Sequence, residues 1–264
     1  DKANFLTASA LQFPDTAVEA VRKETEHLYN NTIHLILKMM GLHRREVFSE
    51  QNLDDVIKQY QQIPDYNLDD AYEYSFKGIY SEIIAFISQA RFSWELKQSG
   101  RLHWLREANL KLAESIKASK HLQKNLQKSS VSHNIHLKQQ YDNVRVQVAD
   151  LIRKLEIIKS ETAVSELPLL SQDMLKARLK EQNQVLLETI EKLIREHKIT
   201  PEMGTSLMND SAYVYDIQAN LMSMAATVFV NYSVETINVE RKIALTDTEL
   251  LQVINPQNRE DLID

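Results

Sequence analysis

The sequence predicts an all-α fold built as tandem antiparallel three-helix bundles, with six long helices and a few short extra ones. Only four glycines and five prolines occur among 264 residues, which suits long helices and leaves little material for tight hairpins. Apolar residues recur at steps of three and four along six long stretches. No stretch shows the sustained alternation of apolar and polar residues that is typical of a β-strand.

Composition and charge exclude several classes of protein. Hydrophobic residues make up 43% of the chain and charged residues 26%, so a globular core is expected. The net charge of −6 argues against general nucleic-acid binding, and the absence of cysteine excludes disulfides and thiolate metal sites. No signal peptide is visible, and the longest apolar run, Leu221–Val230, has about half the ~20 residues that a membrane helix needs. Because the sequence starts at Asp1 without a methionine, we expect it to be a piece of a longer protein.

The first long helix is predicted from Pro14 to Met40, with Gly41 placed to end it. Glu24 occupies a position on its apolar seam and is a candidate functional acid. Glu24 and His27 form a Glu-x-x-His pair, but a di-iron bundle needs two such pairs, and the sequence contains no second one. A di-iron oxidase is therefore not expected.

A polar connection, 47–67, follows, with a short helix predicted near Leu53–Tyr60. Asn67 should cap a helix that runs from Leu68 to about Lys97. Its first turn is acidic, and acids at a helix start often just complement the helix dipole. The alternative is a divalent metal site, because carboxylates four residues apart could share one hard cation. The candidate metal ligands are Asp69, Asp70 and Glu73.

The third helix is predicted at about Leu102–Lys128, separated from the second by Gly100. Four lysines recur at helical spacing on its outer face. Such a stripe can be solvated charge alone, or a docking face for an acidic partner or for phosphate-rich headgroups. The candidate docking residues are Lys117, Lys120, Lys124 and Lys128.

The second half repeats the pattern of three long helices. They are predicted at Leu137–Ile158, Ser171–His197 and Pro201–Phe229, with a loop at Thr162–Pro168. A short helix at Thr246–Ile254 and a polar tail at Pro256–Asp264 are expected to follow. The natural division near Ser129–Ser132 gives two domains, 1–130 and 131–264.

The helix that begins at Pro201 carries an acid on its apolar seam. Asp210 falls where the spacing of Leu207 and Val214 predicts an apolar side chain. A buried carboxylate without a partner is costly, so we expect Asp210 to pair with Arg145 beside the seam of the facing helix. That pairing would lower the pKa of Asp210.

The sequence shows no arrangement typical of an active site, and the protein is predicted not to be an enzyme. The four glycines stand alone, so there is no phosphate-binding loop, and there is neither a cysteine nucleophile nor a Gly-x-Ser-x-Gly turn. His133 and His136 lie one turn apart near a helix start, which is a weak indication of metal binding.

Several stretches together resemble the PhoU-like helical domain attached to bacterial sodium/phosphate cotransporters. They are PDTAVEAVRKETEHLYNNTIHLI (Pro14–Ile36), IKASKHLQKNLQKSS (Ile116–Ser130) followed by YDNVR (Tyr141–Arg145), and ITPEMGTSLMNDSAYVYDI (Ile199–Ile217). Where this family carries acidic metal-binding motifs, the chain has Lys111 and Ser115, and it keeps Asp210 with Ser206 one turn earlier. These departures argue against a multinuclear metal centre.

The resemblance implies a cytoplasmic regulatory domain that follows a sodium-dependent phosphate transporter in the same polypeptide, at the cytoplasmic face of the inner (plasma) membrane. Such a domain would tune phosphate uptake without catalysis and without a certain cofactor, although a divalent metal ion and a homodimer stay open. The alternative is a free-standing, metal-binding PhoU-type regulator of phosphate signalling. A third hypothesis is an unrelated helical adaptor that docks through its lysines. Apolar segments of ~20 residues before residue 1 would favour the transporter.

Overall fold

The structure is a computed structural model that describes residues 2–90, 96–161 and 169–229. Within these ranges the chain is all-α and has no β-strand, as the sequence predicts. A π-helical turn, Glu73–Lys77, joins α4 to α5, so the two form one continuous rod. The helices are α1 (Pro14–Met39), α2 (Arg44–Val47), α3 (Leu53–Gln59), α4 (Leu68–Tyr72), α5 (Gly78–Ala90), α6 (Leu96–Ser130), α7 (Ile135–Glu161), α8 (Leu169–Arg195) and α9 (Pro201–Val228).

The end of α1 is fixed by glycine, as predicted. Gly41 has a φ of +68°, in the left-handed region that glycine adopts without steric cost. The backbone N–H of Leu42 donates to the carbonyl of Leu37 at 2.9 Å, and that of Gly41 donates to Lys38 at 3.0 Å. This pair of bonds is a Schellman motif, which satisfies the last carbonyls of the helix and turns the chain sharply.

Two predicted N-terminal caps are confirmed. The Asn67 side chain accepts from the Asp70 backbone N–H at 3.1 Å and starts α4. The Thr200 hydroxyl accepts from the Met203 N–H at 3.2 Å, with Pro201 in the first position of α9. Each cap satisfies a backbone donor that the helix itself leaves unpaired.

The predicted boundary at Gly100 is wrong. Gly100 lies inside α6, which already begins at Leu96, so Lys97 belongs to α6 and not to the end of the preceding helix. One glycine costs a helix about 1 kcal/mol, which a 35-residue helix with a buried face can absorb. The loop 162–168, the predicted helix 246–254 and the tail 256–264 lie outside the described residues.

The long helices fall by chain order into two sets of three: α1, the α4–α5 rod and α6, then α7, α8 and α9. In the described residues α1 packs against α5 and α6, and α9 packs against α6, α8 and α7, whereas α7 and α8 scarcely contact each other. The most extensive helix contact in the described part of the chain joins the two sets, because α6 packs antiparallel along α9. The division near residue 130 falls in the turn between α6 and α7, and the independence of domains 1–130 and 131–264 stays a prediction.

Candidate functional site

Asp210 lies where helices from both sets meet. Its side chain is buried, with 1% exposure, and the Tyr141 hydroxyl donates to Asp210 Oδ2 at 2.5 Å. The Asn125 side chain lies close enough to this carboxyl to favour its charged form. Asn125 is on α6, Tyr141 on α7 and Asp210 on α9, so one buried carboxyl connects three helices. We call these three residues the polar junction.

The predicted ion pair between Asp210 and Arg145 is wrong. Arg145 follows Tyr141 by one helical turn, but its guanidinium group is engaged elsewhere. Its Nε donates to the Met40 carbonyl at 3.0 Å, one terminal nitrogen donates to the Tyr60 carbonyl at 2.7 Å, and the other contacts Asp142 at 3.2 Å. Two carbonyls at the ends of α1 and α3, together with Asp142 on α7 itself, therefore engage the guanidinium group, and Asp210 is not among its partners.

The pKa of Asp210 is shifted in the direction opposite to the one expected from an ion pair. Burial raises this pKa, and the hydrogen bond from Tyr141 and the nearby Asn125 side chain oppose the rise without cancelling it. Burial also raises the pKa of the Tyr141 hydroxyl, and the neighbouring Asp210 carboxylate raises it further. Two neutral donors can orient the carboxylate, but they replace its hydration less well than a cation would.

We expect Asp210→Asn to be more stable than the wild type at pH 7. The raised pKa means that folding is favoured while Asp210 is protonated, and that this contribution is lost as pH rises from its ordinary pKa of 3.8 through the folded-state value. Asparagine stays neutral and can still accept from Tyr141 and Asn125. Urea melts at pH 7 and near pH 3.5 should therefore show an advantage for the variant that shrinks in acid.

Tyr141→Phe is the matched control, because it removes a donor and keeps the acid. Its loss should be about 2 kcal/mol at pH 7 and smaller in acid, because a hydrogen bond to a carboxylate is stronger than one to a neutral carboxyl. If Asp210→Asn is instead the less stable protein at pH 7, the carboxylate has a stabilising partner that the polar junction does not contain.

Arg145 and Arg153 together form an arginine clamp on α7. Arg153 Nε donates to the Val47 carbonyl at 2.6 Å, and a terminal nitrogen donates to the Gln51 carbonyl at 2.9 Å. With the two carbonyls that Arg145 binds, the clamp attaches the end of α1 and the α2–α3 segment to α7. The sequence reasoning missed this role, because backbone carbonyl acceptors leave no pattern in the side chains.

Glu24 is confirmed as a buried acid on the seam of α1, with 0% exposure. Its Oε2 accepts from the backbone N–H groups of Asn4 and Phe5, each at 2.8 Å, and its Oε1 lies 2.6 Å from His27 Nδ1. The Glu-x-x-His pair therefore makes an internal hydrogen bond, and the carboxylate anchors the N-terminal segment. Nothing in this geometry resembles a metal centre.

The three acids proposed as metal ligands, Asp69, Asp70 and Glu73, are exposed and each has its own partner. Lys120 Nζ lies 2.6 Å from Asp69, and Lys77 Nζ lies 2.8 Å from both oxygens of Glu73. The Asn67 side-chain amide donates to Asp70 at 2.6 Å. Among the described residues, no group of three or more His, Asp or Glu side chains is arranged to hold a metal ion, and this includes His133 and His136.

The lysine face lies where it was predicted, and all four of its side chains are exposed: Lys117, Lys120, Lys124 and Lys128. Lys120 is partly neutralised by Asp69. On the opposite side of the same helix, Lys111 pairs with Glu114 at 2.9 Å, and the buried Ser115 hydroxyl donates to the Lys111 carbonyl at 2.9 Å. Lys111 and Ser115, which stand where the resembling family carries acids, therefore make their contacts within α6.

A small cleft lies between α7, α8 and α9, lined by polar side chains that include Gln147, Asn183 and Gln218. Its volume of about 10 Å³ is enough for roughly one water molecule, so it is too small for an organic substrate.

Comparisons of the chain with protein-family models, curated proteins and solved structures find no match. A functional assignment therefore depends on the residues of the chain itself. In the part of the chain that the structure describes, no helix combines the length and the apolar character needed to cross a bilayer.

Proposed function

We propose that this chain is a regulatory, non-catalytic domain of a sodium-dependent phosphate transporter. It lies at the cytoplasmic face of the membrane, in the same polypeptide as the transporter, and modulates phosphate uptake. The proposal follows from the PhoU-like sequence stretches, and one structural observation supports it more than any other.

That observation is that the polar junction takes one residue from each of three PhoU-like stretches. Asn125 belongs to the stretch 116–130, Tyr141 begins the stretch 141–145, and Asp210 lies in the stretch 199–217. The stretch 199–217 is far in sequence from the other two, yet its Asp210 accepts a hydrogen bond from Tyr141 and lies beside Asn125. The stretches that carry the resemblance therefore meet at one buried carboxyl.

The geometry of the junction supports a non-catalytic role. Asp210 is enclosed by helices and accepts a hydrogen bond from the neutral Tyr141 hydroxyl, so it connects helices and cannot reach a substrate. A second polar contact joins the two sets of helices at α1 and α7, where Lys159 Nζ lies 3.0 Å from Asn30, 3.4 Å from Glu156 and 3.8 Å from Glu26. A domain with this construction acts through binding and through the relative position of its helices.

The test uses the natural full-length polypeptide, expressed in cells that lack their own phosphate uptake. Sodium-driven uptake of radioactive phosphate would be compared between the wild type and the variant Arg145→Ala, whose regulatory domain should be destabilised. We expect uptake in both, with a maximal rate at least about twofold different at equal membrane expression. Lys58→Gln, an exposed substitution, is the matched control and should leave the rate unchanged.

The experiment tests the transporter assignment and the regulatory role separately. Absence of sodium-driven phosphate uptake with the wild-type polypeptide would contradict the transporter assignment. Uptake that is identical in the wild type and Arg145→Ala, although the domain of the variant is shown by proteolysis to be unfolded, would contradict the regulatory role.

A further inference from the structure

One region of this acidic protein carries only positive charge. Between Ser115 and Tyr141 there are five lysines and no aspartate or glutamate, although the whole chain has a net charge of −6. The region covers the second half of α6, the turn 131–134 and the start of α7. Its lysines are Lys117, Lys120, Lys124, Lys128 and Lys138.

The same region exposes two aliphatic side chains at the end of the molecule. Val131 is 68% exposed and Ile135 is 71% exposed, and only three residues separate them. Large side chains with this exposure are few in the described residues, and the others stand apart from one another in sequence. Val131 and Ile135, with Lys124, Lys128 and Lys138, are called the α6–α7 tip from here on.

The neighbouring turn does not cancel the charge of the α6–α7 tip. The turn between α8 and α9 lies alongside, since the Asn134 side chain donates to the Lys198 carbonyl at 2.8 Å. The α8–α9 turn has equal numbers of basic and acidic residues, and Glu196 forms an ion pair with Lys198 at 2.6 Å. One acid lies nearby, because Asp65 is 3.5 Å from Gln127. Gln127 precedes Val131 by about one helical turn. Around the α8–α9 turn the balancing residues are Lys192, Arg195 and Lys198 against Glu191, Glu196 and Glu202.

We propose that the α6–α7 tip binds the surface of an anionic lipid bilayer. The lysines would contact lipid phosphates, and Val131 and Ile135 would insert among the headgroups. A bilayer interface accepts isolated aliphatic side chains that protrude from a turn, together with basic residues around them. A folded partner would instead need an extended apolar face, and the tip has only two exposed aliphatic side chains. This proposal does not depend on the transporter assignment.

The 264-residue protein should sediment with vesicles that mix phosphatidylcholine and anionic phosphatidylglycerol, and should stay in solution with pure phosphatidylcholine. Binding should weaken when salt is raised from 20 to 500 mM, because the Debye length falls. The double variant Lys124→Gln/Lys128→Gln should bind about thirtyfold more weakly, because each lysine near an anionic surface contributes about 1 kcal/mol of binding free energy. Val131→Ser/Ile135→Ser should bind about tenfold more weakly, because serine does not partition into the interface.

Matched controls place the same changes elsewhere on the surface. Lys23→Gln/Lys58→Gln removes the same charge, and Val185→Ser removes a 55% exposed aliphatic side chain from α8. Both should bind as the wild type does, and all variants should keep the wild-type denaturation midpoint. The proposal is overturned if both tip variants bind as the wild type does. It is equally overturned if the protein binds soluble polyglutamate but no anionic vesicle.

Discussion

Arg145→Ala is expected to lower the free energy of unfolding by about 3–5 kcal/mol, which is a large fraction of the stability of an ordinary domain. The side chain has 1% exposure and makes hydrogen bonds with the carbonyls of Met40 and Tyr60. Its removal leaves both carbonyls without a partner in a buried site and creates a cavity. Denaturant melts at pH 7 would measure the loss.

Arg153→Ala is the matched control, because Arg153 also binds two backbone carbonyls but is only half-buried. Its loss should be about 1–2 kcal/mol. Arg145→Lys should recover little, since one ammonium cannot reproduce the planar fork that reaches separate acceptors. Hydrogen exchange in Arg145→Ala should become fastest in residues 44–60, the segment that the clamp holds. An equal cost for the two alanine variants would show that the burial of Arg145 contributes nothing.

Gly41→Val should cost about 2–4 kcal/mol. The left-handed φ of +68° alone penalises a residue with a Cβ by about 1–2 kcal/mol. The added Cβ would also lie 3.1 Å from Pro64 Cδ and 3.2 Å from Ile63 Cα, so the chain around Pro64 would have to move. Thermal and denaturant melts would detect the combined effect.

Gly78→Val is the control that separates the strain at the positive φ of Gly41 from the general effect of introducing a valine. Gly78 is exposed and has helical dihedral angles, φ −60° and ψ −53°. Gly78→Val should therefore change stability by less than about 0.5 kcal/mol. A Gly41→Val protein that unfolds at the wild-type denaturant concentration would contradict this account of the α1 terminus.

Helix termini could be predicted from the sequence wherever one residue decides the local geometry. Gly41 ends α1 because the turn needs a positive φ, and Thr200 with Pro201 starts α9 because the first turn needs a side-chain acceptor and tolerates a missing N–H. Gly100 failed as a boundary because a helical glycine is only mildly unfavourable, and the packing of α6 outweighs it.

The sequence predicted which acids of the candidate site are buried, but not which groups hydrogen-bond them. Helical spacing places Asp210 and Glu24 on buried faces, and the structure confirms that both are buried. Spacing does not specify which neighbour faces them, so it could not identify the Tyr141 hydroxyl as the donor to Asp210. The partners of Glu24 and Arg145 are backbone groups, which no side-chain pattern reveals.

The antiparallel contact of α6 with α9 affects how the protein is made. On the ribosome, α6 is complete at residue 130, but its main packing partner is complete only at residue 228. At ordinary translation rates of 5–20 residues per second, about 5–20 s pass between the two events. During that interval α1 and α5 can already cover part of α6, but the face of α6 that packs against α9 has no native cover. A chaperone at the tunnel exit would therefore meet that face of α6.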